Sequence, residues 1–151
     1  MDIRETANET AKELSRLRTK RTNAAYRFNE VLIAMAKDLQ PMCDIMRQFS
    51  IPYRNQLFSG ESMRGFVIGE GTIKDKRFLY VFDGYIIHKV DADTDEYITD
   101  VEIETKDFVE TCNLEHVEAA FNYVSNLNYT AVSEYRARNN EILLFVEKHG
   151  G

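Results

Sequence analysis

The fold is decided by residues 3–40, which read IRETANETAKELSRLRTKRTNAAYRFNEVLIAMAKDLQ. Ten positions in this stretch are spaced alternately four and three residues apart: Ile3, Ala7, Thr10, Leu14, Leu17, Arg21, Ala24, Phe28, Val31 and Met35. Such spacing is a heptad repeat, which places all ten side chains on one narrow stripe of an α-helix, here called the seam. No Gly or Pro interrupts it before Pro41. The sequence therefore predicts one long, amphipathic, coiled-coil-like helix from Ile3 to Gln40.

This predicted helix is longer than a compact globule of the same chain. At about 1.5 Å per residue it spans roughly 57 Å, whereas a compact chain of this length has a diameter of about 40 Å. The helix must therefore extend toward a partner or break. A break at Thr22-Asn23, where both residues suit helix caps, would give a helical hairpin within one chain. The uninterrupted seam favours the long helix.

After this helix the sequence predicts a small sheet and then more helices. Pro41 suits the first turn of a short second helix. Asp83-Gly84 is typical of a two-residue type I′ hairpin turn, while Asn113 and Thr130 have the positions of caps for two C-terminal helices. Four segments have the composition of strands, and they are 65–68, 77–82, 85–90 and 97–104. Together these elements predict an α+β fold with an antiparallel meander of about four strands and two C-terminal helices packed on one sheet face.

Charge divides the chain into two parts. Residues 1–50 hold nine Lys/Arg and seven Asp/Glu, whereas residues 51–151 hold ten and eighteen. We predict that residues 1–50 form a helical segment for oligomerisation or docking and that residues 51–151 form an α+β domain. The formal net charge of −6 disfavours nucleic acid as a partner.

The acidic charge is concentrated in residues 91–118, which contain eleven Asp/Glu and one basic residue, Lys106. A field of one sign attracts partners of the opposite sign. The sequence therefore predicts a negative surface for a basic protein, with Glu102, Glu104 and Glu110 among the contacts. One variant of this interpretation is an inhibitor whose carboxylates imitate nucleic-acid phosphates.

The most acidic stretch, residues 91–102, resembles the calcium-binding loop of EF-hand proteins. Asp91, Asp93 and Asp95 match the first, third and fifth ligand positions of that loop, and Glu102 matches the bidentate twelfth. The resemblance covers these twelve residues and implies a calcium site. The alternative is a solvated hairpin loop, because Glu96 occupies the place of the motif's glycine and the preceding segment predicts strands.

Taken together, these features favour a small, oligomeric protein-interaction module. We expect self-association through Leu14, Leu17, Arg21 and Phe28 of the seam, with the charge of Arg21 setting register or partner choice. The alternative is a module that binds a metal or a small ligand, through the turn 91–102 or a tyrosine-lined pocket. No cofactor other than calcium is expected. No paired carboxylates, histidine cluster or nucleophile motif favours an enzyme.

Localisation follows from two further observations. No apolar run approaches the 18 residues of a membrane span, so no membrane partner is expected. Cys43 and Cys112 lie far apart in a chain whose first residues are acidic and unlike an export signal. We therefore expect a cytoplasmic protein whose two thiols are free.

Overall fold

The computed structural model describes residues 2–98 and 103–150. Its first helix, α1, runs from Ile3 to Asp38 without interruption. The Asp2 carboxylate caps this helix by accepting a hydrogen bond from the backbone N–H of Arg4 at 3.1 Å. The long helix is confirmed, and the break at Thr22-Asn23 does not occur. At about 1.5 Å per residue, α1 is roughly 54 Å long.

The second helix, α2, spans Gln40–Gln48 and has Pro41 in its first turn, as predicted. Proline lacks an N–H group and its ring crowds the carbonyl four residues earlier, so α1 cannot continue through this position. Leu39 forms the junction between the two helices.

Five short strands form two antiparallel sheets. A two-stranded sheet pairs β1 with β2, and a three-stranded meander has the order β3-β4-β5. Their bounds are Tyr53–Arg54 for β1, Glu61–Ser62 for β2, Phe66–Ile73 for β3, Lys76–Phe82 for β4 and Ile87–Asp91 for β5. Three of the four predicted strands are confirmed.

The fourth predicted strand, 97–104, contains residues outside the described ranges, and so does the bulge expected near Thr99 or Asp100. On either side of that gap, Tyr97 forms an isolated bridge with Val90, and Ile103 forms one with Ile87. Both partners belong to β5, so the chain approaches the same edge of the sheet at both points.

The hairpin turns differ from the prediction. The loop between β4 and β5 contains four residues, and the Asp83 carboxylate accepts hydrogen bonds from the N–H groups of Tyr85 and Ile86 at 2.9 Å each. A type I′ turn needs positive φ at both central residues. That condition is met between β3 and β4, where Lys74 and Asp75 have φ of 50° and 66°. The predicted two-residue turn at Asp83-Gly84 is therefore wrong.

Three helices follow the sheet. They are α3 over Thr105–Thr111, which the sequence did not predict, α4 over Leu114–Ser125 and α5 over Ala131–Gly150. Helix α4 begins at the predicted cap, where the Asn113 side chain accepts from the N–H of Glu115 at 2.9 Å. It packs on the sheet through Phe121, whose ring stacks on Phe66 with centroids 4.4 Å apart.

Helix α5 departs from the predicted packing. Ala131 is its one buried residue among those described, so the helix leaves the core after its first turn instead of lying on the sheet. Thr130 precedes it as predicted, but its hydroxyl donates to the carbonyl of Tyr123 at 3.1 Å instead of capping α5.

The core draws on both parts of the chain. Leu32 and Ala36 of α1 and Met46 of α2 are buried in one cluster with residues of the sheet and α4. The division at residue 50 stays a prediction, although α1 contributes to the core of the α+β part.

The buried face of α1 is displaced from the seam. Ala25, Leu32 and Ala36 are buried, whereas the seam residues Ala24 and Val31 are exposed. A helix that covers a globular core buries a stripe wider than the narrow line of a coiled coil and follows the period of 3.6 residues. The second half of α1 therefore packs on its own domain by a face centred beside the seam, with the seam residues Phe28 and Met35 at its edge, partly buried against the core.

Candidate interaction surfaces

The first half of α1 extends away from the core. Every described residue up to Arg21 is exposed. Within this segment the seam presents Leu14 and Leu17, which are 55% and 44% exposed. The structure thus brings these two predicted partner-binding residues together on one helix face that no other part of the described chain covers.

Arg21 and Glu110, which were both predicted as partner-binding residues, contact each other within the chain. The Arg21 Nη2 lies 3.1 Å from Glu110 Oε1, with both side chains about half exposed. An exposed ion pair of this kind stabilises the fold by only about 0–1 kcal/mol. The Glu110 carboxylate does, however, neutralise the positive charge that Arg21 places in the seam, at the point where α1 contacts α3.

Phe28 belongs to the packing of α1 on the domain. Its ring is half-buried against the core cluster, and its centroid lies 6.4 Å from that of Phe108 in α3. Substituting Phe28 would therefore disturb the fold as well as any interface, which makes Leu14 and Leu17 the cleaner test of the seam.

A second apolar surface lies on α5, and the sequence analysis did not identify it. Residues 132, 135, 139, 142 and 146 repeat the alternating spacing of three and four, which was the available signal. The large apolar residues exposed on this helix are Val132, Tyr135, Ile142, Leu143, Leu144, Phe145 and Val146. A monomeric protein rarely exposes so continuous an apolar patch, and patches of this kind mark interaction sites.

The acidic region is largely at the surface. Seven of its carboxylates are exposed in the described part of the chain: Asp93, Glu96, Glu104, Asp107, Glu110, Glu115 and Glu118. Glu102 lies outside the described residues. Lys106 is also exposed, and the role of this region as an acidic binding surface stays a prediction.

The predicted calcium ligands are held by hydrogen bonds from the protein. Asp91 Oδ1 accepts from the N–H groups of Asp93 at 2.8 Å and Thr94 at 3.1 Å, and these bonds lower the pKa of Asp91. Asp95 accepts from the Ser62 hydroxyl at 2.6 Å and from the Met63 N–H at 2.9 Å. Among residues 2–98 and 103–150, no three His, Cys, Asp or Glu side chains form a metal-binding group. The calcium site stays a prediction.

Contacts from Arg64 tie this turn to the sheet. The Arg64 guanidinium lies over the Tyr97 ring at 4.2 Å and donates to the backbone carbonyl of Asp95. The strained backbone of Asp95, with φ of 59°, is thereby supported from two sides. Hydrogen bonds from Ser62, Met63 and Arg64 therefore hold Asp95 against the end of β2.

Two adjoining cavities flank the start of α5. One, of about 230 Å³, lies beside Ile51 and Pro52 and is also lined by Tyr123 of α4 and Tyr135 of α5. The other is an apolar groove of about 380 Å³ between α2 and α5, lined by Met42, Ile45 and Phe49 among others. Because Tyr135 lines both, the first turns of α5 separate two parts of one surface depression. Two tyrosines, Tyr123 and Tyr135, line this depression, and a ligand-binding, tyrosine-lined pocket stays a prediction.

Comparisons with known proteins give no further assignment. No family model, no curated protein and no solved structure matches this chain. In the described parts of the chain, none of the helices has the length and apolar character needed to cross a membrane. Functional inference therefore depends on the surfaces and cavities described above.

Proposed function

We propose that this chain is an oligomeric protein-interaction module whose two extended helices pair with those of a second copy. The observation that carries the proposal is the exposed first half of α1, with Leu14 and Leu17 on the part of the seam that the core does not cover. Apolar side chains at heptad spacing gain stability when a second helix covers them. The exposed face of α5 supports the same proposal independently.

The acidic region provides the second part of the proposal, a surface for a basic protein. Seven of its carboxylates, including those of Glu104 and Glu115, are exposed, against one exposed basic residue, Lys106. Complementary charge accelerates the encounter of two proteins more than it strengthens the final complex. A basic partner should therefore associate rapidly at low salt.

Deletion of residues 2–20 tests the role of α1. All of these residues are exposed, so the shortened chain should keep its fold and its unfolding temperature. If α1 drives self-association, the shortened chain should sediment as a smaller species than the native chain. A folded, shortened chain that keeps the native oligomeric state would contradict the role of α1.

Substitutions in α5 separate the contribution of the second helix. Ile142→Asp with Val146→Asp places charges on its exposed apolar face, where both residues are about half exposed. A loss of association in this variant alone would assign the interface to α5. Loss in both variants would show that each helix contributes.

A second candidate function is binding of a small ligand. The apolar groove of about 380 Å³ between α2 and α5 favours it, because small-molecule sites are mostly apolar concavities of this size range.

A further inference from the structure

Helix α5 contains a segment that has no polar face. Residues 142–146, here called the apolar end, read ILLFV, and each is between 48% and 66% exposed. Because an α-helix has about 3.6 residues per turn, five consecutive residues occupy its whole circumference. A helix that is apolar all round is normally buried all round. A single neighbouring helix would cover one face of the apolar end, so this segment needs a site that encloses it from at least two sides.

The apolar groove between α2 and α5 is a site of that kind. Its volume is about 380 Å³, and Met42, Ile45 and Phe49 form its α2 wall. Ile45 and Phe49 are 41% and 61% exposed, so both have surface left for a further contact. The α5 wall of the groove extends to Asn139, and the apolar end continues beyond it on the same unbroken helix. The apolar end therefore cannot fold back into the groove of its own copy.

The spacing of residues on α5 can bring the apolar end of one copy to the groove of another. The alternation of three and four that runs from Val132 to Val146 aligns with itself when two α5 helices lie antiparallel. Ile142 of one copy then faces Asn139 of the other, and Val146 faces Tyr135. Tyr135 and Asn139 both line the groove. One two-fold axis would therefore place each apolar end between α2 and α5 of the other copy.

The exposed apolar area is that of a stable dimer interface. It comprises Ile45 and Phe49 of α2 and the seven exposed apolar residues of α5 given above. A large apolar side chain has roughly 150–250 Å² of surface, and about half of each is exposed, so the nine together present roughly 800–1,000 Å² per copy. A standard specific interface takes about 800 Å² from each partner.

A parallel pair of α5 helices would cover less of this surface. It would bring the two apolar ends together and place Asn139 against Asn139 of the second copy, a polar contact that specifies register in parallel coiled coils. The apolar end of the second copy would then lie beyond the groove, and Ile45 and Phe49 would stay exposed. The antiparallel arrangement covers the groove and the apolar end at once.

We infer that the groove between α2 and α5 binds the apolar end of α5 from a second copy, with the two α5 helices antiparallel. This inference rests on the self-association proposed above and specifies which surfaces meet. The contact is reciprocal, because each copy supplies one groove and one apolar end.

Two variants, Tyr135→Cys and Val146→Cys, test the antiparallel contact by disulfide formation. In the inferred dimer these two positions face each other across the copies, whereas the two copies of either position lie about 16 Å apart along the helices. A disulfide needs Cα atoms within about 7 Å of each other. Under mild oxidation an equal mixture of the variants should therefore give a covalent dimer. Each variant alone should stay at the background of the native chain, whose Cys43 and Cys112 are free. Covalent dimers from either variant alone would indicate a parallel pair and overturn the inference.

Sedimentation of the variant Ile45→Asp tests the groove itself. Its charge would be buried against the apolar end of the second copy, so the Kd of self-association should rise about tenfold or more. Gln48→Asp is the matched control, because Gln48 is exposed on the same helix, does not line the groove and receives the same charge. This control should keep the native Kd. Equal effects of the two substitutions would overturn the groove as the docking site.

The two sets of measurements separate this inference from the proposed function. A native chain that self-associates, but whose cysteine variants give no covalent dimer when mixed, would overturn the antiparallel contact and leave self-association to another surface such as α1. A native chain that is monomeric at concentrations on the order of tens of micromolar would overturn both. The groove would then belong to another occupant, such as an amphipathic helix of a different protein or a small apolar ligand.

Discussion

If the chain self-associates through the seam as proposed, replacing Leu14 and Leu17 by Asp should dissociate the oligomer while leaving the domain folded. Leu14 and Leu17 are 55% and 44% exposed, so about half of each side chain remains to be covered by a partner. Complete burial of a leucine contributes about 1.5–3 kcal/mol, and covering the exposed half therefore contributes about 1 kcal/mol. Two leucines from each of two copies give about 4 kcal/mol, which is roughly a thousandfold in Kd.

Sedimentation over a range of concentrations is the assay, with Ser15→Asp and Thr19→Asp together as the control. These two residues lie on the same exposed part of α1 but off the seam, and they introduce the same charge. The control should keep the native Kd, whereas the leucine variant should raise it about a thousandfold, with circular dichroism unchanged. The reasoning is refuted if the leucine variant retains the native Kd, or if both variants weaken association equally.

Three further predictions concern other parts of the molecule. If the turn 91–102 binds calcium, millimolar calcium should raise the unfolding temperature, because a ligand that binds only the folded state stabilises it. Asp91→Asn with Asp93→Asn should remove that rise. An unchanged unfolding temperature in the native chain would mean that the turn is a solvated loop. Replacing Glu104 and Asp107 by Lys should slow the association of a lysine-rich peptide and reduce the salt dependence of its association rate. Replacing Asp38 and Glu147, which lie outside the region, by Lys should leave that rate unchanged. Equal effects of the two variants would refute a localised acidic face. Lys74→Asn with Asp75→Gly should raise the free energy of unfolding in urea by about 1 kcal/mol, because Asn and Gly adopt the positive φ of the turn more readily than Lys and Asp. A lower free energy of unfolding would contradict the type I′ assignment.

The helical elements were the most predictable part of the fold. The unbroken run before Pro41 defines α1, and Pro41 itself separates α1 from α2 because it cannot donate to the preceding turn. Asn113 likewise indicates the start of α4, where its side chain caps the helix. These signals act over a few residues, so they can be read without knowledge of the tertiary structure.

The face by which α1 packs was not predictable from its spacing alone. The heptad pattern places Ala24 and Val31 in the seam, yet the domain buries Ala25 and Leu32. Which side chains are covered depends on where α2, α3 and the sheet lie, and that is a property of the whole fold. The buried face of α1 is thus centred beside the seam and overlaps it at Phe28 and Met35, which pack against the core.

The burial of particular tyrosines and the exposure of α5 were not predictable for a related reason. The sequence predicted a tyrosine-lined pocket, but it does not distinguish the buried Tyr123 from the exposed Tyr129. It also assigned the apolar residues of α5 to the core, because amphipathic spacing looks the same in a helix that covers a core and in one that awaits a partner.

The most direct test of the central claim is sedimentation equilibrium of the unmodified chain at concentrations up to the order of tens of micromolar, since association depends on protomer concentration. The interaction-module account predicts a mass above the 17.6 kDa of one chain, rising with concentration toward a defined multiple. A mass of one chain throughout that range would contradict self-association through α1 and α5.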